Sequence, residues 1–142
     1  MRRAYVDTTV ILRFLTGDPP DMAARARALL EAMEQGELSL VIDEIVVAET
    51  VWVLQSFYGY PSHEVARVVQ ELLSHKGLEA DDKPGLLAAL NLFADKNLDF
   101  ADALVAVHMG QRGIKEIFSF DRHFDRLPDI IRQASMEDED KG

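Results

Sequence analysis

No cysteine occurs anywhere in the 142-residue chain, which excludes disulfides, thiolate metal sites and cysteine nucleophiles. No run approaches the roughly eighteen consecutive apolar residues of a membrane helix. The charged start MRRAYVD leads into no signal-peptide core. These absences set the expectation of a cytoplasmic protein with no membrane partner. Positive charge is also scarce, with 15 Lys and Arg against 25 Asp and Glu and a formal net charge of −10. That argues against loose, nonspecific nucleic-acid binding, which draws on Lys and Arg contacts to phosphate. It leaves room for a nucleic-acid enzyme whose acids hold metal ions, because a bound cation reverses the local field.

The hydrophobic content of 48% suits one globular domain with a real core. Residues 1–135 are expected to form it. The tail MEDEDKG, residues 136–142, carries four acids and one lysine and reads as a disordered, solvated end. Along the chain, RAYVD reads as a first strand ending at Asp7, and TTVILRFL as a short helix closed by TGDPP. DMAARARALLEAMEQG is an amphipathic helix with Asp21 as its expected N-cap and Gly36 as its C-cap. LSLVI is a strand, and a helix around Glu49 runs to YGYP. SHEVARVVQELLSHKG is a further helix with Ser62 as its expected N-cap. LEA is a short strand. KPGLLAALNLFADKN and DFADALVAVHMGQRG are helices, the first with Pro84 near its start. EIFSF is a strand stopping at Asp121, DRHFDRLP a helical turn and IIRQA an edge strand. Strands alternating with helices predict an α/β three-layer fold with a mainly parallel central sheet.

The helix VIDEIVVAETVWVLQSF poses a question. At about 100° per residue, Glu49 lies in line with Ile45, Val46, Trp52 and Val53. A carboxylate on the buried side of a helix costs several kcal/mol unless something pairs with it. Three further acids stand in comparable positions. Asp7 and Asp121 end strands, where open parallel sheets place their sites. Asp102 lies in the first turn of its helix on the side of Val105, Ala106 and Met109. Four crowded carboxylates would raise each other's pKa values. A hard divalent cation with oxygen ligands, Mg²⁺ or Mn²⁺, removes that penalty. Simpler readings compete. Asp7 and Asp121 each suit the N-cap of the element that follows, Asp99 and Asp102 resemble a capping box, and Arg13 or Arg122 are alternative partners for Glu49.

YVDTTVILRFLTGD, VVAETVWVL, LDFADALVAVHMGQRG and IFSFDRHFDRLP resemble the PIN-domain ribonucleases, most of all the VapC-type toxins of toxin–antitoxin pairs. The likeness covers roughly residues 4 to 130. It implies that Asp7, Glu49, Asp102 and Asp121 are the catalytic and metal-binding acids and that Mg²⁺ or Mn²⁺ is the cofactor. It implies hydrolysis of RNA phosphodiesters, with tRNA, rRNA or mRNA as substrate in single-stranded or structured form. It further implies a homodimer and a cognate antitoxin whose tail fills a hydrophobic groove. The hydroxyl usually found two residues before the last acid falls on Ser119. Family members often carry Asn or Ser two residues after the first aspartate; here Thr9 stands there, with a hydroxyl able to order water or phosphate. Asp99 supports the site or serves only as a cap.

Substrate must bind despite the net charge. Arg2, Arg3, Arg13, Arg25 and Arg27 cluster early, and Arg122 and Arg126 flank the last acid, so a basic rim around an acidic pit is one expectation; ordinary solvated helix faces are the other. His63, His75, His108 and His123 show no ligand spacing and read as surface or cap residues. Trp52, Phe57, Tyr58 and Tyr60 are expected in the core or a subunit contact. A PIN-like binding module without turnover is the alternative function. A dehalogenase-type phosphatase needs a second acid where Thr9 stands, and a receiver domain needs a paired acidic start and a late lysine that are not found.

Overall fold

A computed structural model describes residues 2–137; the last part of the acidic tail, residues 138–142, lies outside the described residues. β1 (Arg2–Val6), β2 (Leu38–Ile42) and β3 (Leu78–Glu79) form a parallel ladder in that order. Val6 faces Ile42, and Leu40 faces Leu78. β4 (Glu116–Phe118) and β5 (Ile131–Gln133) form a second parallel ladder with Phe118 opposite Gln133. Every pairing among the described residues is therefore parallel. The hydrogen-bonded ladders divide three and two. EIFSF yields only three paired residues, because the chain bends away at Ser119 and Phe120.

Six helices connect the strands: α1 (Thr8–Thr16), α2 (Pro20–Glu34), α3 (Glu44–Ser56), α4 (Ser62–Leu73), α5 (Lys83–Lys96) and α6 (Phe100–Arg112). Parallel strands need such crossovers. Both faces of β2 are covered: Leu38, Leu40 and Ile42 are buried, while Ser39 and Val41 are half-buried. Near-continuous burial of this kind is what helices on both faces produce. The core gathers Ile11 of α1, Val47, Val51 and Leu54 of α3, Val65 and Val69 of α4, and Leu86, Leu90 and Phe93 of α5. Phe93 and Phe100 meet edge to face with centroids 6.3 Å apart.

Several helix ends differ from expectation. Pro19, not Asp21, is the N-cap of α2, and Asp21 sits in its first turn. Pro61 occupies the N-cap of α4, so Ser62 is its first helical residue. Gln35 rather than Gly36 caps the end of α2. In α2 and α4 a proline with extended backbone sets the entry, so no side-chain oxygen is needed to start the turn. Gly17 closes α1 in the left-handed conformation, with φ +73° and its N–H donating to the Arg13 carbonyl at 2.9 Å.

α3 alters the problem posed by Glu49. The buried stripe of this helix is Val47, Thr50, Val51 and Leu54. Ile45 and Trp52 are 72% and 65% exposed, and Glu49 is exposed with them. The alignment of Glu49 with Ile45 and Trp52 holds, but the face they share points to solvent. The reason lies in composition. α3 is apolar nearly all round, so its periodicity does not choose which face turns inward. The buried Thr50 hydroxyl is satisfied by donating to the Val46 carbonyl at 2.7 Å.

Candidate active site

Asp7 directly follows β1 and caps α1. Its Oδ1 accepts the Thr9 hydroxyl at 2.6 Å and the backbone N–H groups of Thr9 at 3.1 Å and Val10 at 3.4 Å. The Thr9 hydroxyl, foremost, and these amides hold the Asp7 carboxyl below the usual aspartate range, against the opposing effect of burial. The capping reading of Asp7 is thus correct. It is compatible with a further ligand, since a carboxylate fixed as an anion keeps a free lone-pair face. Thr9 donates its hydroxyl proton to Asp7, so the oxygen can still act on water only as an acceptor.

The other end of the site is built differently. Asp99 occupies the N-cap position of α6, yet its side chain makes no cap hydrogen bond. Asp102, in the first turn, is half-buried. Burial first, then the negative charges of Asp121 and Asp99, push the Asp102 carboxyl above the usual range, with His123 opposing. Asp121 heads the 3-10 turn Arg122–Arg126, its Oδ1 accepting the His123 N–H at 2.9 Å. That bond, together with the His123 imidazole and Arg126, holds Asp121 below the usual range. The Ser119 Oγ accepts the Asp121 N–H at 3.0 Å, so the hydroxyl two residues before the acid positions its backbone.

Glu49 is exposed on α3, a helix that packs against both α1 and α6. The first turn of α3 is tied to α6 by Glu44 and His108, 3.5 Å apart. Among the described residues no arginine or lysine pairs with Glu49. Electrostatics thus links Asp102, Asp121 and Asp99 directly; Asp7 caps α1 and Glu49 stands on α3, two helices that pack against each other. Among the described residues no three acidic or imidazole side chains already converge as a metal cage.

The basic rim is smaller than the sequence suggests. Arg3 forks onto Glu79 at 2.8 and 3.0 Å across the ladder. Arg126 donates to the Asn97 carbonyl at 2.6 Å and the Lys96 carbonyl at 3.3 Å, closing the end of α5. Arg122 is exposed and makes no hydrogen bond or ion pair among the described residues. Arg13 carries a buried Nε with no hydrogen-bond partner. It lines a groove between α1 and α2 with Val10, Met22, Arg25 and Leu29. Sequence reasoning missed His123, whose Nδ1 lies 2.9 Å from Asp121 Oδ1. The signal available was its position two residues after a capping aspartate, where turn geometry brings side chains together.

The PIN domain family matches residues 4–130. A VapC ribonuclease of Aquifex aeolicus (strain VF5) is 30% identical over 122 residues, covering 86% of this chain and 90% of that protein. The chain belongs to the PIN-domain nucleases, of the VapC kind. PIN nucleases generally use divalent metal, and the donor set of this PIN domain agrees with that. It is all carboxylate oxygen, and the like-charge crowding at Asp102 is the penalty that a hard cation relieves. No helix among the described residues is long and apolar enough to cross a membrane.

Proposed function

We propose that this PIN domain is an Mg²⁺- or Mn²⁺-dependent endoribonuclease, the cytoplasmic toxin of a toxin–antitoxin pair, with Asp7, Glu49, Asp102 and Asp121 as its working acids. The observation that carries the proposal is the half-buried Asp102, ionised only against its burial and the charges of Asp121 and Asp99. A hard divalent cation would offset both effects. Mg²⁺ commonly takes one or two carboxylates, several waters and the substrate phosphate rather than a closed protein cage. Paired acids without a third converged side chain are consistent with that habit.

Asp102 and Asp121 would hold the ion, with Asp7 as a further ligand on a shared water. Bound there, the cation supplies Lewis-acid activation of water and neutralises charge at the phosphate. Glu49, exposed and unpaired, orients the attacking water and accepts its proton. The water attacks phosphorus in line with the leaving 3′ oxygen, giving a 5′ phosphate and a 3′ hydroxyl. His123 and Ser119 act on Asp121, keeping its carboxylate ionised and its backbone fixed. Single-stranded or looped RNA fits best, because the acids need a splayed backbone; tRNA, rRNA and mRNA all offer such loops.

Two surfaces suit the expected partners. The α1–α2 groove combines apolar walls with Arg25 and the unsatisfied Nε of Arg13. A mixed apolar and acidic antitoxin tail would bury the first and satisfy the second. Ile45, Trp52 and Phe57, the last 78% exposed, give α3 an apolar outer face that a second copy would cover.

The test is cleavage of single-stranded RNA by the purified protein with Mg²⁺, with chelator, and as Asp7→Asn, which keeps the cap. Cleavage should require metal and disappear in Asp7→Asn, with an unchanged circular dichroism spectrum. Undiminished cleavage by that variant would overturn the assignment. Tight metal binding with no cleavage of any RNA would favour the alternative, a catalytically silent PIN-like binding module.

A further inference from the structure

Phe120 is the most exposed large apolar side chain among the described residues, at 88%. An isolated exposed phenylalanine asks for no explanation. This one directly precedes Asp121, and the backbone on both sides of it is held. The Ser119 N–H donates to the Gln133 carbonyl at 3.0 Å. Arg132 donates to the Ser119 carbonyl at 3.2 Å. The Asp121 N–H donates to Ser119 Oγ, and Asp121 in turn accepts the His123 N–H. Exposure alternates through the segment: Ile117, Ser119 and Asp121 are half-buried, whereas Phe118 and Phe120 stand out. The bonds that fix the backbone at Ser119 and Asp121 therefore leave the Phe120 ring on the exposed side. On the other side of Asp121 stands Arg122, exposed and unpaired among the described residues.

We propose that Phe120 is a stacking platform for a nucleobase flanking the scissile phosphate, with Arg122 meeting the adjacent backbone phosphate. Consecutive Cα atoms lie about 3.8 Å apart, so a phosphate held at Asp121 brings the neighbouring base within reach of the ring. Aromatic faces accept any base, which suits a nuclease acting on splayed single strands. The backbone that carries the ring is fixed on both sides, so ordering the ring on binding costs only its own two side-chain rotations. Discrimination against duplex RNA follows, because a stacked duplex base has no free face to offer.

The inference rests on the ribonuclease reading, and its test separates the two. Steady-state cleavage of a single-stranded oligoribonucleotide is measured for the wild type and for Phe120→Ala, Phe120→Leu, Phe120→Tyr and Phe120→Trp. Alanine and leucine should raise KM roughly tenfold or more, as expected for loss of one stacked base, with kcat within about twofold. Tyrosine and tryptophan should restore KM. With the wild type, an abasic ribose scanned along the oligonucleotide should raise KM at one position beside the cut; in Phe120→Ala that position should become silent. Unchanged KM in alanine and leucine overturns the stacking proposal while leaving the nuclease reading intact. Restoration by leucine as well as by the aromatic variants also overturns it, in favour of a plain apolar contact. Wild type that cleaves no RNA defeats the nuclease reading itself.

Discussion

Asp7 and Asp102 carry the same functional group in opposite electrostatic circumstances. Asp7 accepts three hydrogen bonds from its own turn, and its ionised form is favoured. Asp102 has burial and two neighbouring acids against it, and its ionised form is disfavoured. The first carboxylate is paid for by the helix it starts; the second has no such local reason to be charged. A structural duty, capping α1, is therefore evident at Asp7, and no side-chain cap of that kind is seen at Asp102 among the described residues. Replacing Asp102 tests the chemistry with little structural cost, whereas at Asp7 only a substitution that keeps the capping oxygen, such as Asp7→Asn, does so.

The largest effect is expected at Asp102. Loss of an outer support of a metal ligand commonly costs ten- to a hundredfold in affinity or activity, so loss of a ligand itself should exceed about a hundredfold. Asp102→Asn should do this with a melting temperature equal to or above that of the wild type. The sign follows from the direction of the shift. A carboxyl whose folded pKa is raised destabilises the native state once ionised, that is, as pH rises through its folded value. The neutral amide removes this term at neutral pH. Chelator should widen the stability difference, because metal-free wild type carries the repulsion that a bound cation relieves. A variant that melts well below wild type would show that Asp102 supports the fold and would dissolve the contrast with Asp7.

Much of this contrast was legible before any coordinates. The alternation of strands and helices, the positions of Asp7 and Asp121 after strands, and the capping potential of both follow from local rules that use only nearest neighbours in the chain. Glu49 shows where such rules stop. Its alignment with Ile45 and Trp52 was correct, but an almost wholly apolar helix carries no periodic signal for its inward face. Packing against α1, α4 and α6 decides it. His123 was hidden for a related reason, since its role is a contact formed by the turn at Asp121 rather than a spacing of ligands. The division of the strands into two ladders depends on where the chain bends at Ser119 and Phe120, again a tertiary matter.

The Asp7 side is sharpened by Thr9→Val. Valine keeps the volume and the two backbone amide bonds but removes the hydroxyl donor, the foremost cause of the lowered Asp7 pKa. Stability should fall by about 1 kcal/mol or less, the ordinary net worth of one hydrogen bond. Cleavage should fall by about tenfold, in the range for outer-shell partners. The acid limb of the pH–rate profile should move to higher pH, because Asp7 then protonates earlier on acidification. A limb that stays in place would assign it to another group and leave Thr9 a purely structural residue.

The smallest effect concerns a carboxylate that resembles Asp7 in its bonding but lies outside the acid cluster. Glu79 accepts both arms of Arg3 and the Ser39 hydroxyl at 2.7 Å. Arg3 first, then Ser39, lower its pKa from 4.5 to about 2. A depressed carboxyl adds stability above its unfolded value and loses it as pH falls through the folded one. Acid unfolding of the wild type should therefore include a proton uptake between about pH 4.5 and 2 that Glu79→Gln lacks. Because the pair is exposed, the stability change at neutral pH should be small. The pH–rate profile of Glu79→Gln should match that of wild type. If it instead shifts as in Thr9→Val, the acid limb reports loosening of the β1 ladder rather than ionisation at Asp7, and the distinction between the two sides of the site loses its kinetic signature.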